Sequence, residues 1–324
     1  MANSRNAPPI ERLTATLAAT LERYAPPGAR LVVGFSGGVD SVVLLHALTR
    51  LRPGGVSALH VHHGLSPHAD DWAAFCAAFA GQLGAPFQCV RVTVERFSGE
   101  GLEAAARRAR HAVFAHTPAD WIVLAHQRED QAETLLFNLL RGAGVAGAAA
   151  MQTARGRLLR PLLGVGRAEI EAYAQSYRLR WINDESNADL RHARNFLRHV
   201  ILAPLLRRFP AATRHLAAAA ERFAEAKELL DALARADLAG AETFPLAIAR
   251  LQALDEPRAR NALRYLLAKH DVAIPHEARL REALRQMLTA AADRHPVVHL
   301  GAHRLLRRRG MIYLEPLGPS SASR

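Results

Sequence analysis

Lysine is nearly missing: Lys227 and Lys269 stand against forty arginines. That shortage excludes a Walker-type phosphate loop, whose Gly-Lys-Ser/Thr core sets a lysine beside the phosphates, because no lysine precedes residue 227. Cysteine is as scarce. Cys76 and Cys89 are too few and too far apart for a disulfide scaffold, a Cys-x-x-Cys redox pair or a four-cysteine metal site, so both read as buried apolar fillers. No uninterrupted apolar run approaches the ~20 residues of a membrane-spanning helix, and the opening MANSRNAPPIER lacks the apolar core of a secretory signal. The expectation is a cytoplasmic protein with no membrane partner.

Half of the 324 residues are hydrophobic, so the chain can bury a substantial core and is expected to hold two domains rather than one. The formal charge of +12 is unevenly spread: residues 1–190 hold 19 basic and 17 acidic side chains, residues 191–324 hold 23 and 13. A C-terminal excess of this kind suits a polyanion such as nucleic acid, because each neutralised phosphate releases counterions. It suits a merely solvated basic face as well. An arginine-for-lysine skew is what genomic composition alone can produce, so arginine richness adds nothing to that choice.

Periodicity predicts a helix over 10–24, a buried strand over 31–35 and a helix beginning near Asp40. Strands over 56–62, 87–94 and 121–125 then alternate with helices over 71–83, 102–116 and 130–140, which predicts an α/β domain: a parallel sheet with helices on both faces. The Gly/Ala-rich 142–150 reads as a loop. From Asn195 onward strands become scarce, and 212–239 reads as one long helix closed by Gly240. The expected division is a catalytic domain over 1–210, a helical linker over 211–245, a smaller, mainly helical and basic domain over 246–317, and a disordered tail over 318–324.

The strongest motif is Ser36-Gly37-Gly38-Val39-Asp40-Ser41, between a buried strand and a helix. The glycines let the backbone approach a phosphate, the helix N-terminus offers free N–H groups, and both serines carry hydroxyl donors. Asp40 is either a Mg²⁺ ligand beside the phosphates or a plain helix cap. His60, His62 and His63 follow at the end of the second strand; with no cysteine or fourth ligand in a metal-site spacing, nucleotide contact is favoured over zinc, and plain loop histidines are the other reading. In His126-Gln-Arg-Glu-Asp130-Gln-Ala-Glu133, the histidine and two carboxylates share a helix-terminal face that fits an ammonium group, Mg²⁺, or a solvated first turn. Arg194 and Arg198 lie four apart and suit a carboxylate or phosphate.

The Ser-Gly-Gly-Val-Asp-Ser loop after a strand resembles the PP-loop of ATP pyrophosphatases. Together with His60-Val-His-His63-Gly-Leu, Arg107-x-x-Arg110, the His126–Glu133 helix, Arg141-Gly-x-Gly, Arg160-Pro-Leu-Leu and Arg194-Asn-x-x-Arg198, it is similar to the tRNA(Ile)-lysidine synthetases over residues 28–210, and more weakly over 246–316. His111 stands where that family usually has Tyr, Ser66 where Arg is common, and longer members add a domain beyond the point where this chain stops. The resemblance implies ligation of L-lysine to the wobble cytidine of an isoleucine tRNA with a CAU anticodon, using ATP and Mg²⁺ and releasing AMP and pyrophosphate. It implies Ser36, Gly37, Gly38, Val39, Asp40, Ser41, His60 and His63 at ATP, with Asp40 on Mg²⁺. Arg107 and Arg110 would offset phosphate charge, and His126 would contact or deprotonate a reacting group. Asp130 and Glu133 would face the lysine substrate's cationic groups and Arg194 or Arg198 its carboxylate, while Arg304, Arg307, Arg308 and Arg309 would meet tRNA. Homodimerisation stays open. A tRNA thiolase on the same scaffold and a non-catalytic RNA-binding relative are the alternatives; the first needs a cysteine arrangement that Cys76 and Cys89 do not form.

Overall fold

The structure is a computed structural model; it describes residues 8–95, 101–185, 189–272, 276–291 and 294–317. The chain folds as two compact units, Met1–Phe137 with Ala150–Ala220, and Asn138–Ala149 with Glu221–Arg324. The expected tail over 318–324 lies outside the described residues.

In the first unit the elements run α1 (Pro9–Tyr24), β1 (Leu31–Gly34), α2 (Val39–Leu51), β2 (Val56–His62), α3 (Ala69–Gln82), β3 (Phe87–Arg91), α4 (Leu102–His116), β4 (Trp121–Val123) and α5 (Arg128–Leu140), whose last turn enters the second unit. After a one-turn α6 (Val145–Ala148), which belongs to the second unit, the first unit resumes with β5 (Ala154–Arg155), β6 (Leu158–Leu159), α7 (Arg167–Ser176), α8 (Ala193–Phe196), a π-helical stretch Leu197–Leu202 and α9 (Ala203–Arg208). The sheet order is β3-β2-β1-β4-β6-β5, parallel throughout except for the β5–β6 pair. The strand order reverses at β1, so a crevice opens at the carboxyl ends of β1 and β4, where ligands of doubly wound sheets sit.

Strand pleating sends Leu31, Val33 and Phe35 to one face and Val32 to the other. The first face packs on α1, α2 and α7; the second, with Leu59, Val61, Ile122 and Leu124, packs on Phe114 of α4. Helices therefore cover both faces, as the alternating pattern predicts. Helix α2 is buried almost all round: Val42, Val43, Leu44, Leu45 and Leu48 have no exposed surface, each side chain contributing about 1.5–3 kcal/mol on burial. That anchoring fixes the loop immediately before it. Cys76 is buried, but Cys89 is exposed, contrary to the reading of both as fillers. The reason is that β3 is the edge strand of the sheet.

Helix α10 (Ala212–Leu238) runs from the first unit into the second. The second unit continues with β7 (Leu246–Ala247), α11 (Ile248–Gln252), α12 (Glu256–Lys269), α13 (Glu277–Thr289), β8 (Val297–Leu300), β9 (His303–Arg308) and β10 (Met311–Pro316). Asp255 caps α12 by accepting the Arg258 N–H. Its core joins Leu263, Leu266 and Leu267 of α12 to Leu280, Leu284 and Met287 of α13 and to Leu305 and Ile312 of the sheet. The four strands form an antiparallel sheet in the order β7-β10-β9-β8, an addition to the helices expected there.

Candidate active site

The loop between β1 and α2 is held by its own hydroxyls. Gly37, at φ +86°, donates its N–H to Ser41 Oγ at 3.1 Å, and Ser41 donates to the Gly38 carbonyl at 2.9 Å. Ser36 Oγ lies 3.1 Å from Ser41 Oγ. The Ser41 hydroxyl is thus spent on bracing the loop, while Gly38 opens α2 as its N-cap residue. Ile182, from the stretch after α7, donates its N–H to the Gly37 carbonyl at 2.9 Å and lies against the glycine's α-carbon. A methyl group on Gly37 would stand 2.4 Å from Ile182 Cδ1 and 3.1 Å from Cys76 Sγ.

A cleft of about 210 Å³ opens beside this loop, lined by Ser36, Gly38, Asp40 and Ser41 together with Arg107 and Arg110 of α4. A larger cavity of about 910 Å³ adjoins it, reaching Glu133, Asp184, Arg194 and Arg198. The two share His60, His63, Arg107, Arg110 and His126 as a common wall. Sequence-distant motifs thereby converge at one place.

The imidazoles of that wall are neutral. Burial pushes His126 down to about 3, with Arg160 and Arg107 adding to the effect, and pushes His63 down to about 4, with Arg110 adding. His60 is lowered by burial too; its Nδ1–H donates to the Phe35 carbonyl at 2.9 Å, which leaves Nε2 as an acceptor. Nδ1 of His63 and Nδ1 of His126 are buried, with no hydrogen-bond partner among the described residues. His62 turns elsewhere, to Asp70 at 3.1 Å. Among the described residues no group of three or more His, Cys, Asp or Glu side chains is disposed to hold a metal.

Asp40 points into the cleft, and burial raises its carboxyl to about 6 despite the neighbouring Arg167 guanidinium at 3.2 Å. A carboxylate so costly to ionise fits Mg²⁺, which takes one or two protein carboxylates and fills its remaining positions with phosphate oxygens and water. Glu133, 1% exposed, receives a forked pair of bonds from Arg198 at 2.6 and 3.1 Å. The same guanidinium reaches Asp130 at 3.2 Å, whose other oxygen accepts the Gln127 N–H. Arg198 is therefore bound to the acids; of the two arginines expected to face a carboxylate, Arg194 is the one that lines the cavity without pairing with either acid.

In the second unit Arg304 pairs with Glu315, Arg307 donates to the Met287 and Ala290 carbonyls that end α13, and Arg308 lies over the Tyr313 ring. Arg308 and Arg309 are exposed at the β9–β10 hairpin. Two arginines at the first unit's site have no role assigned from the sequence, although Arg160 opens the Arg160-Pro-Leu-Leu motif. Arg160, buried and lowered to about 10 by desolvation, donates to the Gln152 carbonyl, and Arg167 sits on Asp40. A cation in the first turn of a helix, against the dipole, is the signal that would have found Arg167.

The PP-loop domain profile matches residues 10–205, and the TilS substrate binding domain matches residues 246–313. The tRNA(Ile)-lysidine synthase of Aromatoleum aromaticum is 48% identical over 90% of this chain and 70% of its own length; that of Nitrosomonas europaea is 42% identical over 98% and 71%. A U34-tRNA thiolase from Methanococcus maripaludis, solved with its 4Fe–4S cluster, superposes with a TM-score of 0.57 at 16% identity, covering 67% of this chain and 80% of that one. The likeness to it is one of fold. On the matches to the synthases, over nine tenths or more of its length, the chain belongs to the tRNA(Ile)-lysidine synthase family of PP-loop enzymes.

Proposed function

We propose that this enzyme joins L-lysine to the wobble cytidine of an isoleucine tRNA with a CAU anticodon, cleaving ATP to AMP and pyrophosphate, and that it does so in the cytoplasm. The observation that supports this reading best is the common wall of the two cavities. A two-step transfer needs one reacting centre open first to a nucleotide and then to a second substrate.

In the first step the cytosine O2 attacks the α-phosphorus and pyrophosphate leaves toward the N-terminus of α2, whose amides and partial positive charge receive it. Mg²⁺ held by Asp40 would supply further charge neutralisation there. Arg107 and Arg110 stabilise charge on the α-phosphate. In the second step the lysine side-chain amine attacks C2 of the activated ring, AMP leaves with the bonding pair, and the amine's extra proton leaves by way of the departing AMP phosphate to solvent. His126 lines both cavities, and burial, pushing it down to about 3, keeps its imidazole neutral, so it contacts a reacting group by accepting a hydrogen bond and is too weak a base to keep the proton. Asp130 and Glu133, held by Arg198, form the acidic end of the lysine subsite, and Arg194 faces its carboxylate. Thiolation is disfavoured: Cys76 lies under the loop with its thiol raised to about 12 by burial, so it is no nucleophile.

Incubation with ATP, labelled lysine and total tRNA should place the label in a single modified cytidine, with one AMP and one pyrophosphate formed per label. ADP and phosphate as products, or label absent from tRNA, would overturn the assignment.

A further inference from the structure

Phosphate loops without a lysine need another cation at the leaving group, and the residues around Asp40 contain one that no motif marks. Arg167 is the first residue of α7, directly after its N-cap Gly166. Its backbone N–H donates to Glu129 at 3.0 Å, tying the start of α7 to the first turn of α5. Its Nε donates to Glu171 at 2.7 Å, one turn on. These two bonds leave the outer end of the guanidinium over Asp40, with Nη1 3.2 and 3.4 Å from the two carboxylate oxygens.

Placement against the helix dipole is unfavourable for a cation, and the side chain is 42% exposed, so burial does not demand it. What offsets that cost is the pairing with Glu171 and Asp40, and the second of these brings the guanidinium to a carboxylate that lines the cleft. Asp40 itself sits in the first turn of α2, beside the N–H groups that face the cleft.

We propose that Arg167 is a positioning residue of the adenylation step: it holds the Asp40 carboxylate oriented until a divalent cation arrives, and its guanidinium then neutralises the pyrophosphate released beside it. Arg107 and Arg110 line the cleft together with Asp40, and Arg167, reaching that carboxylate, adds positive charge next to it. The assignment rests on the function proposed above.

The test uses the full-length protein and Arg167→Ala, Arg167→Lys and Glu171→Gln. Three quantities are read: calorimetric affinity for magnesium pyrophosphate, the single-turnover rate of tRNA-dependent AMP formation, and the lysine concentration for half-maximal rate. Arg167→Ala should slow AMP formation about 10²-fold, the usual cost of removing one charge-stabilising donor, and weaken pyrophosphate binding about tenfold or more, with the lysine dependence unmoved. Arg167→Lys, which keeps a charge, should recover most of the pyrophosphate affinity. Glu171→Gln frees the tether but keeps the guanidinium and should change each quantity by less than about threefold. The proposal is wrong if Arg167→Ala binds magnesium pyrophosphate as the parent does. It is equally wrong if Glu171→Gln reproduces every defect together with a lowered Tm, since Arg167 would then serve only to hold α7. Should Arg167→Ala fail to fold, Arg167→Gln against Arg167→Lys carries the same comparison. If the parent protein releases no AMP with tRNA, the proposed function falls, while the pyrophosphate titration still decides the role of Arg167.

Discussion

Asp40 and Glu133 are both acids raised by burial, and each has an arginine beside it that lowers it again. Their energetic signatures differ in what happens when the partner or the charge is removed. A carboxyl raised from 3.8 to about 6 in the folded state binds its proton more tightly there than in the unfolded chain. Stability is then lost as pH rises from about 4 through 6, up to ~3 kcal/mol at about 1.4 kcal/mol per pKa unit. Asp40→Asn removes that loss, so without metal at pH 7.5 it should melt higher, by about 2–4 °C per kcal/mol regained. The advantage should shrink near pH 4, and AMP formation should be nearly abolished at any pH. A melting temperature equal to the parent's at pH 7.5 would mean that Asp40 is not strained by burial. Arg198→Met acts in the opposite direction, leaving Glu133 buried without its fork. Because Arg198 is itself 38% exposed, the low end of the cost for breaking a buried pair applies, ~3 kcal/mol at pH 8. Protonation of Glu133 should relieve part of it at pH 5, and chemical denaturation at the two pH values reads this difference directly.

At the level of elements, the loop between β1 and α2 was legible because its constraints are local. A buried strand, two glycines and an acidic helix start are all consecutive in the chain. The reason Gly37 must be glycine is not local: φ +86° forbids most side chains, and Ile182, 145 positions on, fills the space where a Cβ would go. Gly37→Ala should therefore cost well above the ~1–2 kcal/mol of a left-handed residue alone. Gly64→Ala, at φ +64° with nothing within 4 Å, should cost only that amount. Equal losses for the two in urea melts would remove Ile182 from the argument. The β9–β10 hairpin was hidden for the same kind of reason. Its turn is Arg309-Gly310 with φ +48° and +69°, where asparagine or aspartate before glycine is the usual signal. The adjacent Leu305 and Leu306 are both buried, so β9 lacks the polar–apolar alternation that marks a strand. Arg167 was illegible because its role exists only once α7 packs against α2 and α5.

On the scale of the whole molecule, the +10 excess beyond residue 190 is not a property of the second unit. Residues 191–220 carry six arginines and no acidic side chain, and they fold with the PP-loop unit. Most of the excess thus belongs to the unit that holds the reacting centre. The grip on tRNA that we propose has two parts, the segment ending in Arg207 and Arg208, both exposed, and the hairpin bearing Arg308 and Arg309. Arg307 is excluded from the second set because it is committed to the carbonyls at the end of α13; its removal should lower the Tm and leave salt dependence alone. Every phosphate that is no longer neutralised reduces the slope of log affinity against log salt by about 0.7–0.9. Arg207→Ala/Arg208→Ala and Arg308→Ala/Arg309→Ala should therefore each lower the slope by about 1.4–1.8, and the four changes together by about twice that. Fluorescence titration of tRNA at several salt concentrations measures this with no need for turnover. A slope moved by the hairpin pair alone would return RNA binding to the second unit. A slope moved by the 207–208 pair alone would reduce the hairpin arginines to a solvated face.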